Sequence, residues 1–337
     1  MKPAQPSSLE MIRSEMARQH ADALASLEVN REAVKPLVAA LGGSRRLLLL
    51  GMGGSHFAGR SAEGEYRGLG LDATALALSE VLYNPLPDLP RTALITSQSG
   101  ESGEVLRYLE TPPRQEQRFG LTLNETSPLA RSLPGLLGSG GAEVGFAATR
   151  SLTVSLALHA ALLEGLGQRQ NDLRAVLQHP PDPDISEAIE QLAPTQVGVF
   201  VGRSSLQGIA EMAALGLSEL ARMPALAFEG GQFRHGPPEM LKPSLGLVFL
   251  KAAGATSSHS NGLIKLALQA GLHPVVFDTS GEAKIAGSTH IPLPPLSGLA
   301  AATALLYPLQ KLLLALAARQ VERVGEPVRS SKVTREG

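Results

Sequence analysis

Short apolar, β-branched runs alternate along this chain with stretches whose apolar residues recur every three or four positions. Arg46 to Leu50, Ala73 to Leu78, Thr92 to Thr96, Phe119 to Leu123 and Ala142 to Phe146 are runs of the first kind. Their length, and the Gly- and Ser-rich turns that end them, predict buried strands. Between them, Ala58, Ala62 and Tyr66 share one helical face, and Leu152 to Leu166 reads as an apolar helix. Ser7-Ser8-Leu9-Glu10 has capping-box spacing before an amphipathic helix carrying Met11, Met16, Ala23, Leu24 and Leu27. Strands alternating with helices predict an α/β fold, a doubly wound parallel sheet covered on both faces.

The pattern then repeats. Val197 to Val201, Leu245 to Leu250 and Pro274 to Phe277 read as strands, with helices over Ile209 to Ala221 and Ile264 to Ala270. Gly53-x-Ser55 lies over Gly202-x-Ser204 in this alignment, and Gly254-Ala255-Thr256-Ser257-Ser258 echoes the loop after Thr96. The expectation is two αβα domains with parallel sheets, a pseudo-duplication. An N-terminal helix spans 1–30, the domains span 31–167 and 185–320, and a tail spans 321–337. The proline-rich stretch 168–184 joins the domains.

The chemistry concentrates after the third strand. Ser97-Gln98-Ser99-Gly100-Glu101-Ser102 follows Thr96 directly, and Gly103-Glu104-Val105-Leu106 opens a helix. Unsatisfied N–H groups in a first helical turn, with hydroxyls around them, form an anion cradle that needs no lysine or arginine. A single serine here would serve as a helix cap. Three serines, a glutamine and a glycine within six residues exceed what a cap requires. Gly51-Met52-Gly53-Gly54-Ser55 supplies a second set of donors at a helix start. It is a poor dinucleotide fingerprint, because His56 stands where the third glycine is needed.

Composition removes other classes. The net charge of -1 offers nothing to nucleic acid or an anionic membrane surface. Cysteine is absent, so disulfides, zinc–thiolate sites and cysteine nucleophiles are excluded. The histidines show no metal-ligand spacing, and neither a metal nor a cofactor is expected. The first residues lack the apolar core of a signal peptide, and Leu296 to Ala318, broken by Pro308, Gln310 and Lys311, reads as a buried helix. A cytoplasmic protein is the expectation.

Gly53-Gly54-Ser55, Ser97 to Ser102, Ala147-Ala148-Thr149-Arg150, Gly202-Arg203, Ser218-Glu219, Phe233-Arg234-His235-Gly236-Pro237 and the tail Pro327 to Thr334 occur in that order. Together they resemble the sugar isomerase (SIS) family. The match is nearest to the isomerase half of glucosamine-6-phosphate synthase and to free-standing glucosamine-6-phosphate deaminases. The resemblance implies two SIS domains, a homodimer and a hexose-phosphate substrate. It assigns Ser97, Gln98, Ser99 and Ser102 to the phosphate, with Ser55 facing the sugar and Gly54, Ala148 and Thr149 completing the pocket. Glu219 matches the glutamate that moves a proton between C1 and C2. His235 matches a ring-opening histidine lent by the neighbouring subunit. Lys332 matches a tail lysine that forms an imine with the open-chain sugar, and the tail covers the site.

Gly216 and Met212 stand where the family carries a lysine and a glutamate, and Ala148 replaces a serine. A glutaminase half needs a cysteine that this sequence lacks, so glutamine-dependent synthesis is not expected. Two classes follow. One is a cofactor-free amino-sugar-phosphate deaminase or isomerase, in which Glu219 works between C2 and C1. The other is a non-catalytic sugar-phosphate sensor, which needs the serine loop but not Glu219, His235 and Lys332 together.

Overall fold

The apolar runs become the inner strands of two sheets. The computed structural model describes residues 6–334. Its contacts divide them into a first unit, ending at Gln170 and regaining the tail from Arg323, and a second from Asn171 to Glu322.

In the first unit the order is α1 (Ser8–Val29), α2 (Lys35–Ser44), β1 (Arg46–Gly51), α3 (Gly54–Gly68), β2 (Asp72–Ala77) and α4 (Leu78–Tyr83). It continues with β3 (Arg91–Thr96), α5 (Gly103–Glu110), β4 (Glu116–Thr122), α6 (Pro128–Ser132), β5 (Gly135–Leu137) and α7 (Arg150–Gly165). All strands pair in parallel, in the order β2-β1-β3-β4-β5. Every residue of β3 is buried, as an inner strand covered on both faces must be. α1 packs along α7, whose residues from Arg150 to Leu163 are all buried. Ser7 caps α1 in a capping box with Glu10, as the spacing predicts.

The second unit contains α8 (Asn171–Gln178), α9 (Ser186–Leu192), β6 (Val197–Gly202), α10 (Ser205–Ala221) and β7 (Ala225–Glu229). Two 3-10 turns follow, Gln232–Arg234 and Pro237–Met240. Then come β8 (Leu245–Ala252), α11 (His259–Gln269), β9 (Val275–Thr279), β10 (Thr289–Pro292) and α12 (Gly298–Gln320). Its parallel sheet runs β10-β9-β8-β6-β7. Counted from the first strand of each unit, both sheets read 2-1-3-4-5, so the duplication holds at the level of topology. In such sheets the ligand position is the crevice beyond the C-terminal strand ends where the order reverses. In the first unit that point lies between β1 and β3. α12 is long and apolar enough to cross a membrane by composition alone, but 83% of its apolar window is buried inside the fold.

Three sequence readings change. Ala142 to Phe146 is irregular, and the fifth strand is Gly135–Leu137 instead. The reason is Glu143, whose buried side chain gathers neighbouring N–H and O–H groups and curls the segment. Leu78 begins α4 rather than ending a strand. Within 168–184, residues Asn171–Gln178 are helical, in the second unit.

The internal repeat also shifts register. β1 ends at Gly51 and β6 at Gly202, and the next helices start at Gly54 and Ser205. A Cβ on Gly51 would lie 2.8 Å from His56 N, and one on Gly202 would overlap the Leu206 carbonyl. Both chains turn tightly beneath the next helix at these glycines. Gly51 therefore corresponds to Gly202, and Gly53 to Ser204.

Candidate active site

The serine loop leaves β3 and enters α5 as its pattern requires. Ser97 Oγ accepts the Gly100 N–H at 3.1 Å, and Ser99 Oγ accepts the Glu101 N–H at 3.4 Å. Gly100 has φ +67, and a Cβ there would overlap Ser127 Oγ, so only glycine closes this turn. Ser102 occupies the N-cap of α5 yet makes no side-chain capping bond. The simple capping role is not what its hydroxyl does here. The first N–H of α5, on Gly103, donates to the carbonyl of Thr334 at 2.9 Å. The tail thus rests on the helix terminus that the sequence marks as an anion cradle.

Glu143 ties this loop to two other stretches. Its side chain is fully buried and accepts from Thr149 N (2.9 Å), Thr149 Oγ1 (3.0 Å), Ser151 N (3.3 Å) and Ser151 Oγ (2.6 Å). Lys332 Nζ lies 3.1 Å from its Oε2. The Gln98 side-chain amide donates to the Glu143 carbonyl at 3.3 Å. Gln98, Thr149 and Lys332, three expected site residues from distant parts of the sequence, therefore meet at one carboxylate-bearing residue. Sequence reading missed Glu143, because a lone glutamate in Ala-Glu-Val-Gly-Phe looks like the outward position of a strand. Thr149 spends both of its donors on Glu143, which leaves its hydroxyl only as an acceptor.

Arg150, the last residue of the Ala-Ala-Thr-Arg motif, has a structural part. It is completely buried and donates to Glu15, to the Ser139 carbonyl at 3.1 Å and to the Gly141 carbonyl at 2.7 Å. Burial works to raise the Glu15 carboxyl. The Val144 amide and Arg150 outweigh it and hold the group below the ordinary carboxylate value. This buried network fastens α1 to the start of α7 and so fixes the turn carrying Ala148 and Thr149.

Gly54 opens α3 opposite that turn. A Cβ on Gly54 would lie 2.7 Å from Leu152 Cδ2 and 3.8 Å from Ala148 Cβ, so glycine permits the close approach. Ser55 and His56 follow, both half-buried. Burial first, and the Arg60 charge second, lower the His56 imidazole from its ordinary value and favour its neutral form.

In the second unit Glu219 is half-buried near the end of α10. His235 is exposed just after the 3-10 turn Gln232–Arg234. Met212 is buried, and a Cβ on Gly216 would lie 2.9 Å from Leu313 Cδ1 on α12. The two departures from the family pattern thus serve helix packing in this chain. The hydroxyl-rich loop after β8 differs from its counterpart after β3. Its Ser257 donates to Glu282 at 2.5 Å, joined by Lys251 at 2.9 Å and Asn261 at 3.0 Å. Hydrogen bonds from Ser257, Lys251 and Asn261 lower the Glu282 carboxyl to about 2. Among the described residues, no cluster of three or more His, Cys, Asp or Glu is arranged to hold a metal ion.

Comparison with known proteins agrees with this architecture. The chain is 30% identical over 280 residues to the isomerising glutamine–fructose-6-phosphate aminotransferase of Thermosynechococcus vestitus, covering 74% of this chain and 45% of that protein. To the same enzyme of Rhizobium meliloti it is 26% identical over 192 residues, covering 51% and 32%. The C-terminal domain of glucosamine-fructose-6-phosphate aminotransferase from Francisella tularensis superposes with a TM-score of 0.81 at 17% identity, over 95% of this chain and 98% of that one. The chain is a relative of the SIS proteins and carries their fold. A second SIS neighbour is glucosamine-6-phosphate deaminase from Thermotoga maritima, with a TM-score of 0.75 at 22% identity, over 96% of this chain and 100% of that one. Tagatose-6-phosphate ketose/aldose isomerase from Escherichia coli gives 0.79 at 21%, over 94% and 95%. The chain spans 32% to 45% of the length of these two curated relatives. No protein-family model matches it.

Proposed function

We propose that this chain binds a phosphorylated amino sugar and catalyses aldose–ketose isomerisation with deamination. The substrate is glucosamine-6-phosphate or a close analogue, and the products are fructose-6-phosphate and ammonia. The observation that carries this reading is the meeting of Gln98, Thr149 and Lys332 at Glu143, beside a serine loop whose N-cap hydroxyl is not used for capping. The named activities of the relatives support it. Each acts on a hexose 6-phosphate, and they share aldose–ketose or amino-sugar chemistry.

Ser97, Gln98, Ser99 and Ser102 hold the phosphate, Gly54 and Ser55 approach the sugar, and Ala148 and Thr149 line its side. His235 assists ring opening. Its exposure on this chain supports a homodimer in which the imidazole serves the neighbouring subunit. Glu219 takes the C2 proton of the open-chain aldehyde, giving a cis-enolamine, and returns it at C1. That leaves a hydroxymethyl group at C1 and a protonated imine at C2. Lys332 attacks C2 and expels ammonia, and water then releases the ketose and restores the amine. The balance is one water consumed and one ammonia formed.

The packing of Gly216 against Leu313 favours a second reading, in which the chain is a plain isomerase, a deglycase for a different amine, or a sensor that binds without turnover. Calorimetry with glucosamine-6-phosphate, fructose-6-phosphate and unphosphorylated glucosamine tests the binding part. The phosphorylated sugars are expected to bind at least about tenfold more tightly, the contribution of one charge-assisted hydrogen bond. Equal affinity for the unphosphorylated sugar would contradict the proposal.

A further inference from the structure

Glu143 is better provided with donors than its burial requires. Four of them, the N–H and O–H groups of Thr149 and Ser151, belong to the fixed start of α7. The fifth is Lys332, on the tail, whose side chain is 25% exposed. Residues 327–331 leading to it are exposed. Beyond Lys332 the tail makes its backbone contact at Gly103, the first residue of α5. The end of the tail is thus held at two points, and both lie against the serine loop, since Gln98 also donates to Glu143.

We propose that Glu143 is a positioning residue for the Lys332 amine, docking it beside the serine loop and yielding it to the bound sugar. The chemical purpose of that docking rests on the deaminase reading above. An ammonium in an ion pair has no free lone pair, so the docked lysine is unreactive until it sheds one proton and turns to C2. Removing the partner of a buried charge normally strands that charge at high cost. Here the four neutral donors remain on the carboxylate when the lysine leaves. The tail can therefore detach without disturbing the turn that carries Ala148 and Thr149.

The test is competitive acetylation of the full chain without ligand, read by mass spectrometry at Lys332 against the exposed Lys284 as internal reference. In Glu143→Gln the relative labelling of Lys332 is expected to rise about tenfold, the equivalent of one charge-assisted hydrogen bond. Glu143→Asp keeps the charge but shortens the reach, and an intermediate rise is expected. It also covers the case in which the glutamine variant does not fold, judged by thermal melting. Unchanged Lys332 labelling in a folded variant overturns the proposal. Because labelling needs no substrate, raised reactivity in the variant with no amino-sugar turnover by the unsubstituted chain would sink the deaminase reading and leave the docking role. With turnover present, kcat should fall while KM moves by less than about twofold, since the phosphate contacts are untouched. Unaltered kcat in a variant with released lysine would sink the docking role and leave the deaminase.

Discussion

Gly53 and Ser204 hold the same backbone conformation at the same place, just after the first strands of two different sheets. Gly53 has φ 49 and ψ -129, and Ser204 has φ 52 and ψ -127. Each is the N-cap of the helix after the first strand of its unit. Glycine adopts this conformation freely, whereas serine is strained in it. The two copies keep one backbone solution although the second carries a residue that is strained in it.

Replacing Ser204 with glycine should therefore stabilise the second unit. Relief of strain of about 1–3 kcal/mol outweighs the extra chain entropy of glycine, leaving a gain of about 1 kcal/mol. Urea unfolding of the two proteins measures it. A loss of stability would mean that the exposed Ser204 side chain contributes more than its backbone strain costs.

The serine loop yields a binding prediction. Ser99→Ala combined with Ser102→Ala should weaken sugar-phosphate binding by about 3 kcal/mol or more, at about 1.5–3 kcal/mol for each hydrogen bond to a charged group. Unchanged calorimetric affinity would place the phosphate elsewhere.

Much of this was legible because it is written in local pattern. Leu47 to Leu50 and Thr92 to Thr96 are buried strands, and the hydroxyl-rich turns lie where their glycines and serines place them. The apolar run ending near Ala318 is a buried helix despite its membrane-like composition. What escaped depends on contacts between distant positions. Glu143 gains its importance from Thr149 and Ser151, which lie close by but at no helix or strand spacing from it, and from a lysine far along the chain that no window around it contains. The register of the repeat was misjudged because matching glycines is weaker evidence than strand ends, and Ser204 stands where a glycine would have given the correct pairing. Arg150 read as part of a site motif, but its charge is spent inside the fold on Glu15 and two carbonyls.

A pH dependence follows from the buried histidine on α7. Burial pushes His159 down to about 4, and its Nδ1 lies 3.0 Å from the Tyr66 hydroxyl. The unfolded chain binds this proton near the ordinary 6.5, so the contribution is complete above that value and is lost as pH falls from 6.5 to about 4. It amounts to about 3 kcal/mol. His159→Gln keeps a polar partner for Tyr66 without titrating, and its stability should fall less steeply over this range in denaturant titrations. Identical slopes for both proteins would refute the assignment.

Sharing of His235 between subunits has its own test. Glu219→Gln and His235→Ala chains, each inactive alone, should regain activity when mixed and allowed to exchange. Subunit exchange without recovery would mean that each chain holds its own histidine.

The central claim is that this chain moves the C2 proton of an amino-sugar phosphate to C1 and releases the amine. The direct measurement is incubation with glucosamine-6-phosphate and related amino-sugar phosphates in heavy water, following ammonia by enzymatic assay and deuterium in the sugar by NMR. The account predicts one ammonia for each sugar converted and ketose phosphate with part of its C1 hydrogen replaced by deuterium, through exchange of the Glu219 carboxyl proton with solvent before its return, and loss of both signals in Glu219→Gln. Deuterium uptake without ammonia would make the chain a plain isomerase. Tight binding with neither signal for any sugar would contradict the account and leave a sensor.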